Sequence, residues 1–419
     1  MVGAYLYELG MRMMAPLMKV ASVWNLKIKK GVEGRENIWE DLAAQFSPID
    51  PQRKVAWFHA ASLGEFEQGR PVIERFKAAY PDYFILLTFF SPSGYEVRKN
   101  YIGADYICYL PIDTASNARK FVALVNPKIT FFIKYEFWYH YLKELRKTGS
   151  YIISFSTIFR QNQIFFKPYG GFYRKLLTYF DYLLVQNEES LHLLKNIGIS
   201  NCSIAGDTRF DRVQAIATAA QRLPVIESFT GDSFCLVAGS VWPADMDVLI
   251  PTLNGLDKPI KAIIAPHEID VPSMLKWQKM LQGKAMLYSE YVGMDTPPAI
   301  SYLFIDNVGM LSALYRYGNV ALIGGAFGSG LHNVLEAATF GMPIMFGDKK
   351  YQKFQEAVDL IQLGGAHVVH TASDVQNLLT LYTANPEKCQ LGGKIAGKYV
   401  QERVGATTDV MTIVGKMIS

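Results

Sequence analysis

Short runs that are apolar almost throughout alternate along this chain with longer stretches in which apolar residues recur every three or four positions. In the first half the runs are VAWFHA (55–60), YFILLTFF (83–90), YICYLP (106–111), ITFFIK (129–134), YIISFS (151–156) and YLLVQ (182–186). After NCSIAGDTRFD (201–211) the pattern resumes with FCLVAGS (234–240), IKAIIAP (260–266), AMLYSE (285–290), YLFID (302–306), VALIGG (320–325) and PIMFG (343–347). Strands without a polar face must be covered on both sides, as in parallel sheets whose crossovers are helices. The pattern therefore predicts two doubly wound α/β domains joined near residues 205–225, the first over 36–210 and the second over 211–419. The last 30 or so residues read as helical and are expected to pack back on the first domain. A chain of 419 residues, half of them hydrophobic, has enough apolar material for two such cores.

Residues 1–35 break the alternation. MVGAYLYELGMRMMAPLMKVASVWNL (1–26) is apolar but interrupted by Glu8, Arg12 and Lys19, which share one face at helical spacing. Leu6, Leu9, Met13, Leu17, Val20 and Trp24 make up much of the rest, and LKIKK follows. The stretch reads as an interfacial membrane helix with basic residues for anionic headgroups; a helix packed on the protein's own core and a tilted anchor are the alternatives. No charge-free run reaches the length of a simple span, and no small-residue cleavage site follows.

Charge sharpens this reading. Of 42 basic and 38 acidic residues, six basic and two acidic lie in the first 35, so the whole excess of +4 is there and the remainder is balanced. A nucleic-acid-binding body would carry its basic footprint in that remainder. The four cysteines are scattered, which suggests neither a disulfide framework nor a zinc site, and His367 and His370 have no further ligand at credible spacing.

In doubly wound sheets ligands bind beyond the carboxyl ends of the strands, and the polar residues of interest follow strand-like runs. Glu65, beside Gly64, stands at a strand-to-helix turn; it is either an acidic residue favoured by the helix dipole or a base tuned by partial desolvation. Lys134 and Glu136 flank Tyr135 as a surface ion pair or as part of a pocket. Arg209 in GDTRFD either pairs with Asp207 or Asp211 or stabilises charge on a leaving phosphate. In GGAFGSGLHNVLE a helix is expected to begin near His332, its positive end suited to phosphate, with Glu336 one turn in and able to accept from ribose hydroxyls. Gly239 and Ser240 close another strand, and Pro266 and His267 a third; His267 is a nucleotide contact or a structural histidine. GxGxxG and Walker patterns are not fulfilled.

Taken in order, HAASLGE, KYEFW, GDTRFD, GSVWPAD, APHE, IDNVGML and GGAFGSGLHNVLEAATFGMPIMFG resemble the Kdo transferases (glycosyltransferase family 30) over nearly the whole length. These enzymes move 3-deoxy-D-manno-oct-2-ulosonic acid (Kdo) from CMP-Kdo to the lipid A precursor of Gram-negative outer membranes. The resemblance implies an inverting GT-B glycosyltransferase with two Rossmann-like domains facing a central cleft, acceptor side in the first and CMP-sugar mainly in the second. It implies Glu65 as catalytic base, Glu136 and Arg209 as transition-state stabilisers, and donor contacts from Pro266, His267, Val308, Gly309, Met310, Asn333, Val334, Leu335 and Glu336. Gly64, Lys134, Gly239 and Ser240 would support them. Arg209 replaces a lysine, Met310 a glutamate and His267 an arginine, and the turn before His332 is shortened by one residue. No cofactor and no metal are expected, since a monophosphate ester leaves without one and no acidic DxD-type cluster is present. The implied partners are CMP-Kdo, the lipid A precursor and the inner-membrane surface on its cytoplasmic face, with no nucleic acid. A GT-B enzyme using a UDP-sugar, a nucleotide-sugar epimerase and a membrane-associated scaffold are the rival readings.

Overall fold

The computed structural model describes residues 2–50, 52–294 and 296–418. Contacts along the backbone divide the chain into two units, one running to Arg212 and taken up again from Val404, the other Val213–Arg403.

The first unit holds β1 (Val55–Ala60), β2 (Phe84–Phe89), β3 (Tyr106–Tyr109), β4 (Pro127–Ile133), β5 (Tyr151–Thr157), β6 (Tyr182–Val185) and β7 (Cys202–Ile204), in the order β3-β2-β1-β4-β5-β6-β7. The paired strands are parallel. Every residue of β1 and β2 is buried, because helices cover both faces. Alternate residues face opposite cores: Trp57, Leu86 and Phe132 pack in one, Phe58, Leu87 and Phe131 in the other. The helix Ala406–Ile418 joins the second of these cores through Val410 and Val414. Its entry is fixed by Asp211, which accepts the Gly405 N–H at 2.6 Å and the Thr407 N–H at 2.7 Å.

The amino-terminal helix Val2–Ala21 is held to the first unit through Tyr7 and Glu8, whereas Arg12 and Lys19 are exposed. Tyr7 donates to Asp113 at 2.7 Å, and Asp113 also accepts the N–H groups of His140 and Tyr141, each at 3.0 Å. Glu8 lies 2.7 Å from His140 Nε2 and accepts the Ala115 N–H at 3.1 Å. Burial pushes the Asp113 carboxyl up to about 7 against these bonds. Leu6, Leu9, Met13, Leu17, Val20 and Trp24 are left exposed on the outside. Among the described residues no helix is long and apolar enough to cross a membrane.

The second unit holds β8 (Cys235–Val241), β9 (Lys261–Pro266), β10 (Ala285–Leu287), β11 (Tyr302–Phe304), β12 (Val320–Ile323), β13 (Ile344–Phe346) and β14 (Ala366–Val368), in the order β10-β11-β9-β8-β12-β13-β14, again parallel. The twelve expected strands are all present. β7 is the strand-like CSIA run ahead of GDTRFD, while β14 was not expected: it is only three residues long and buried at one end, too short and too mixed to stand out from a loop.

Candidate functional site

A doubly wound sheet opens a crevice where the direction of strand addition reverses. In the first unit that point lies between β1 and β4, and in the second between β8 and β12. Glu65 follows β1, Lys134 and Glu136 follow β4, Gly239 and Ser240 close β8, and the glycine-rich loop follows β12. Topology thus gathers at each reversal the residues that sequence placed after separate strands. Three non-glycine residues at such strand ends adopt left-handed backbone: Lys134 (φ 71°), Ser156 (φ 53°) and Ser240 (φ 53°). Strain of this kind, about 1 kcal/mol or more each, persists where surrounding structure fixes it and is frequent at functional sites.

Glu65 is the third residue of the helix Leu63–Ala79 and forms a capping box with Ser62. Its Oε2 accepts the Ser62 N–H at 2.9 Å and the Ser62 hydroxyl at 3.2 Å. Burial and the nearby Glu136 carboxylate push its pKa up, while the Ser62 bonds pull it back. A side chain added at Gly64 would meet nothing within 4 Å, so the approach beside Glu65 is open.

Glu136 is buried and bonded. Its Oε2 accepts the Trp138 indole N–H at 2.6 Å and lies 3.2 Å from His59 Nε2. The surface ion-pair alternative for Glu136 is therefore corrected: the residue follows β4 beneath the surface, where the rings of Trp138 and His59 replace water. Lys134 places its ammonium 5.4 Å from the Tyr135 ring centroid.

Arg209 binds Asp207 through Nε at 2.9 Å and a terminal nitrogen at 2.8 Å, so the ion pair weighed from the sequence is formed. Asp207 is buried, and Gln68 donates to it at 3.1 Å. Burial alone would raise the Asp207 pKa, but Arg209 and these bonds hold it below the usual range. Thr208 donates to the Gln68 carbonyl and meets Ser156 Oγ at 2.9 Å, which ties the GDTR turn to the helix carrying Glu65.

In the second unit Trp242, His267 and His332 stack, with ring centroids 4.5 Å apart for the first pair and 4.4 Å for the second. Trp242 Nε1 donates to His332 Nε2 at 2.8 Å. Burial and the neighbouring His267 push the His332 pKa down to about 4, so it is a neutral acceptor. Asp245 Oδ2 accepts the Trp242 and Gly325 N–H groups at 2.7 and 2.8 Å and pins the glycine-rich loop. Gly324 is required there, since a Cβ would lie 2.3 Å from the Ser240 carbonyl oxygen. Glu336 accepts from Ser312 Oγ at 2.6 Å and from Asn333 Nδ2 at 3.0 Å. Pro266 ends β9 beside His267, while Val308 is exposed and Gly309 (φ 97°) precedes Met310, which caps the short helix Leu311–Leu314.

One local expectation is corrected. The helix expected from His332 begins at Leu335 and is four residues long. Asn333 Oδ1 takes the Leu335 N–H at 3.1 Å, and Gly341 (φ 71°) turns the chain off soon after. So short a helix aligns few peptide dipoles, and Val334 lies ahead of it rather than inside. His59 and Ser62 lie inside HAASLGE and Trp138 inside KYEFW, while Gln68 and Thr88 lie outside the motifs that carry the resemblance; only the fold shows what these five side chains touch. Among the described residues no group of three or more potential metal ligands occurs.

Residues 36–212 match the family model described as 3-deoxy-D-manno-octulosonic-acid transferase (kdotransferase). A 3-deoxy-D-manno-octulosonic acid transferase of Chlamydophila psittaci is 24% identical over 354 residues, 80% of this chain and 78% of that protein. Those of Rickettsia felis and Aquifex aeolicus are each 24% identical, covering 87% and 74% of this chain and 80% of each relative. Among solved structures, UDP-GlcNAc 2-epimerase from Neisseria meningitidis bound to UDP-GlcNAc aligns with a TM-score of 0.58 at 12% identity, covering 87% of this chain and all of that one (100%). A putative UDP-N-acetylglucosamine 2-epimerase from Listeria monocytogenes gives 0.55 at 11%, covering 86% of this chain and 95% of that one. At such identities the likeness concerns the fold alone, which is GT-B.

Proposed function

We propose that this chain is a Kdo transferase, an inverting glycosyltransferase moving Kdo from CMP-Kdo to a hydroxyl of the lipid A precursor; the family match over residues 36–212 and the relatives 24% identical over most of the chain support this reading. The observation that carries the mechanism is the pair of carboxylates at the first strand reversal, where Glu136 is held by ring donors and Glu65 is desolvated beside open space. Two carboxyls in one site whose environments push one upward suit a division between base and electrostatic stabiliser.

Glu65 takes the proton from a glucosamine hydroxyl of the acceptor as that oxygen attacks the anomeric carbon of Kdo. The bond from that carbon to the phosphate oxygen of CMP breaks on the opposite face, inverting the configuration, and the proton stays on Glu65. Glu136 faces the positive, oxocarbenium-like centre, and Arg209 offsets charge on the departing cytidylate. Pro266, His267, Val308–Met310 and Asn333–Glu336 hold the CMP moiety, with Gly239 and Ser240 shaping the floor beneath it. Lys134 and Gly64 support Glu65 and Glu136 in the first unit.

The acceptor is a membrane lipid, which suits the exposed apolar side of the helix Val2–Ala21 and the LKIKK segment after it. That side lies in the cytoplasmic face of the inner membrane, with the lysines toward anionic headgroups.

The test is a product assay with CMP-Kdo and tetra-acylated lipid A precursor, read by mass spectrometry, together with thermal protection by CMP and by UDP. Addition of Kdo to the lipid and protection by CMP alone are expected. Protection by UDP with no lipid product overturns the reading in favour of a UDP-sugar enzyme or an epimerase.

A further inference from the structure

His59 is fully buried on β1, yet both ring nitrogens have polar neighbours. Nδ1 lies 2.8 Å from Thr88 Oγ1, its register partner on β2, and Thr88 Oγ1 also receives the Trp57 indole N–H at 2.8 Å. Nε2 lies 3.2 Å from Glu136 Oε2, which also accepts from Trp138. The rings of Phe132 and Trp138 stand edge-on to the imidazole at 6.0 and 6.2 Å, so bulk water does not serve it.

A hydroxyl has one hydrogen and two lone pairs, and a neutral imidazole one donor and one acceptor. With the proton on Nδ1, Thr88 would accept from both Trp57 and His59, its own hydrogen would lose the ring as partner, and a bare Nε2 would face a carboxylate oxygen. With the proton on Nε2 every donor meets an acceptor: Trp57 N–H to Thr88, Thr88 O–H to Nδ1, Nε2–H to Glu136. The 3.2 Å approach of Trp138 Nε1 to His59 Nε2 is then that of two donors converging on one oxygen, the indole bond to Glu136 being the shorter at 2.6 Å.

We propose that His59 is a positioning residue, held by Thr88 as the neutral Nε2–H tautomer and donating to Glu136 Oε2, so that Glu136 is aimed with Oε1 left for the reacting sugar. The role given to Glu136 rests on the Kdo-transfer reading; the tautomer does not. The row Trp57–Thr88–His59–Glu136 runs from the buried core to the site, which aims the carboxylate without adding a cation that would cancel its charge.

Full-length enzyme labelled with ¹⁵N-histidine, with His59 assigned by loss of its signals in His59→Gln, reports which ring nitrogen is protonated. A protonated Nε2 and bare Nδ1 near neutral pH are expected; the reverse overturns the proposal and leaves the transfer reading standing. In kinetics His59→Gln, whose amide retains a donor near Oε2, should keep most of kcat, whereas His59→Leu should lower kcat roughly 10- to 100-fold with KM for CMP-Kdo and protection by CMP unchanged. Equal losses in the two variants, or a loss confined to KM, would count against it. Should either variant fail to fold, the wild-type spectrum decides, with Thr88→Val in place of His59→Gln for assignment and expected to release the tautomer into a mixture.

Discussion

Replacing Glu65 by glutamine separates two things the residue does. As the third residue of its helix it accepts from the Ser62 N–H and hydroxyl, a capping box worth about 0.5–2 kcal/mol. A glutamine carbonyl can accept the same bonds, so the cap survives while charge and basicity go. Burial, and after it the Glu136 charge, raises the Glu65 pKa in the folded chain. A carboxyl raised on folding binds more protons folded than unfolded, so its contribution to stability is complete below the unfolded pKa and is lost as pH rises through the folded one. Above its folded pKa the native protein carries an ionised, partly desolvated carboxylate that Glu65→Gln removes. The variant should melt at or above wild type where the wild-type carboxyl is ionised and lose that advantage as pH falls through the folded pKa. Glu65→Ala, without the cap, should lie about 0.5–2 kcal/mol below Glu65→Gln. Both should lose roughly 10²- to 10⁴-fold in kcat for Kdo transfer, equivalent to about 2.7–5.5 kcal/mol of barrier, with CMP protection intact. Melting curves on both sides of that pKa and single-turnover transfer to lipid would check it. Turnover within about threefold of wild type, far short of the loss a missing base entails, or a Glu65→Gln variant melting clearly below wild type above that pKa, would refute the reasoning.

Arg209→Met should leave Asp207 buried without its cation and cost about 3–5 kcal/mol in denaturant unfolding, with Arg209→Lys losing less. Because Asp207 is held below its usual pKa, its share of wild-type stability is present above the unfolded carboxyl pKa and lost as pH falls through the folded one; a pH series of unfolding curves reads this directly. Gly239→Ala would put a Cβ 2.0 Å from Tyr315 Oη, so a loss of about 1–3 kcal/mol and weaker protection by CMP are expected in thermal shift. Leu9→Glu with Leu17→Glu, at positions 48% and 60% exposed, should leave the melting temperature unchanged and abolish co-sedimentation with anionic vesicles; undiminished sedimentation would sink the membrane-surface reading.

What the sequence determined by itself was whatever depends on neighbours along the chain. Runs such as VAWFHA and VALIGG are apolar at every position, and only a strand covered on both sides tolerates that, so two parallel α/β units followed without knowledge of any partner. Glu65 was legible for the same reason, a carboxylate and a glycine just past a buried strand. The meaning of Glu136 was not: whether it sat in water or under a tryptophan depends on His59, 77 positions earlier, and on the register that sets His59 against Thr88 and Phe132. Gln68 meets Asp207 across 139 positions, a contact that no local pattern encodes. The short helix at Leu335 likewise depended on the Asn333 side chain taking the Leu335 N–H and on the left-handed turn at Gly341. Burial pattern is a property of each segment, whereas hydrogen-bond partners are assigned by strand order, and strand order exists only once the chain has closed on itself.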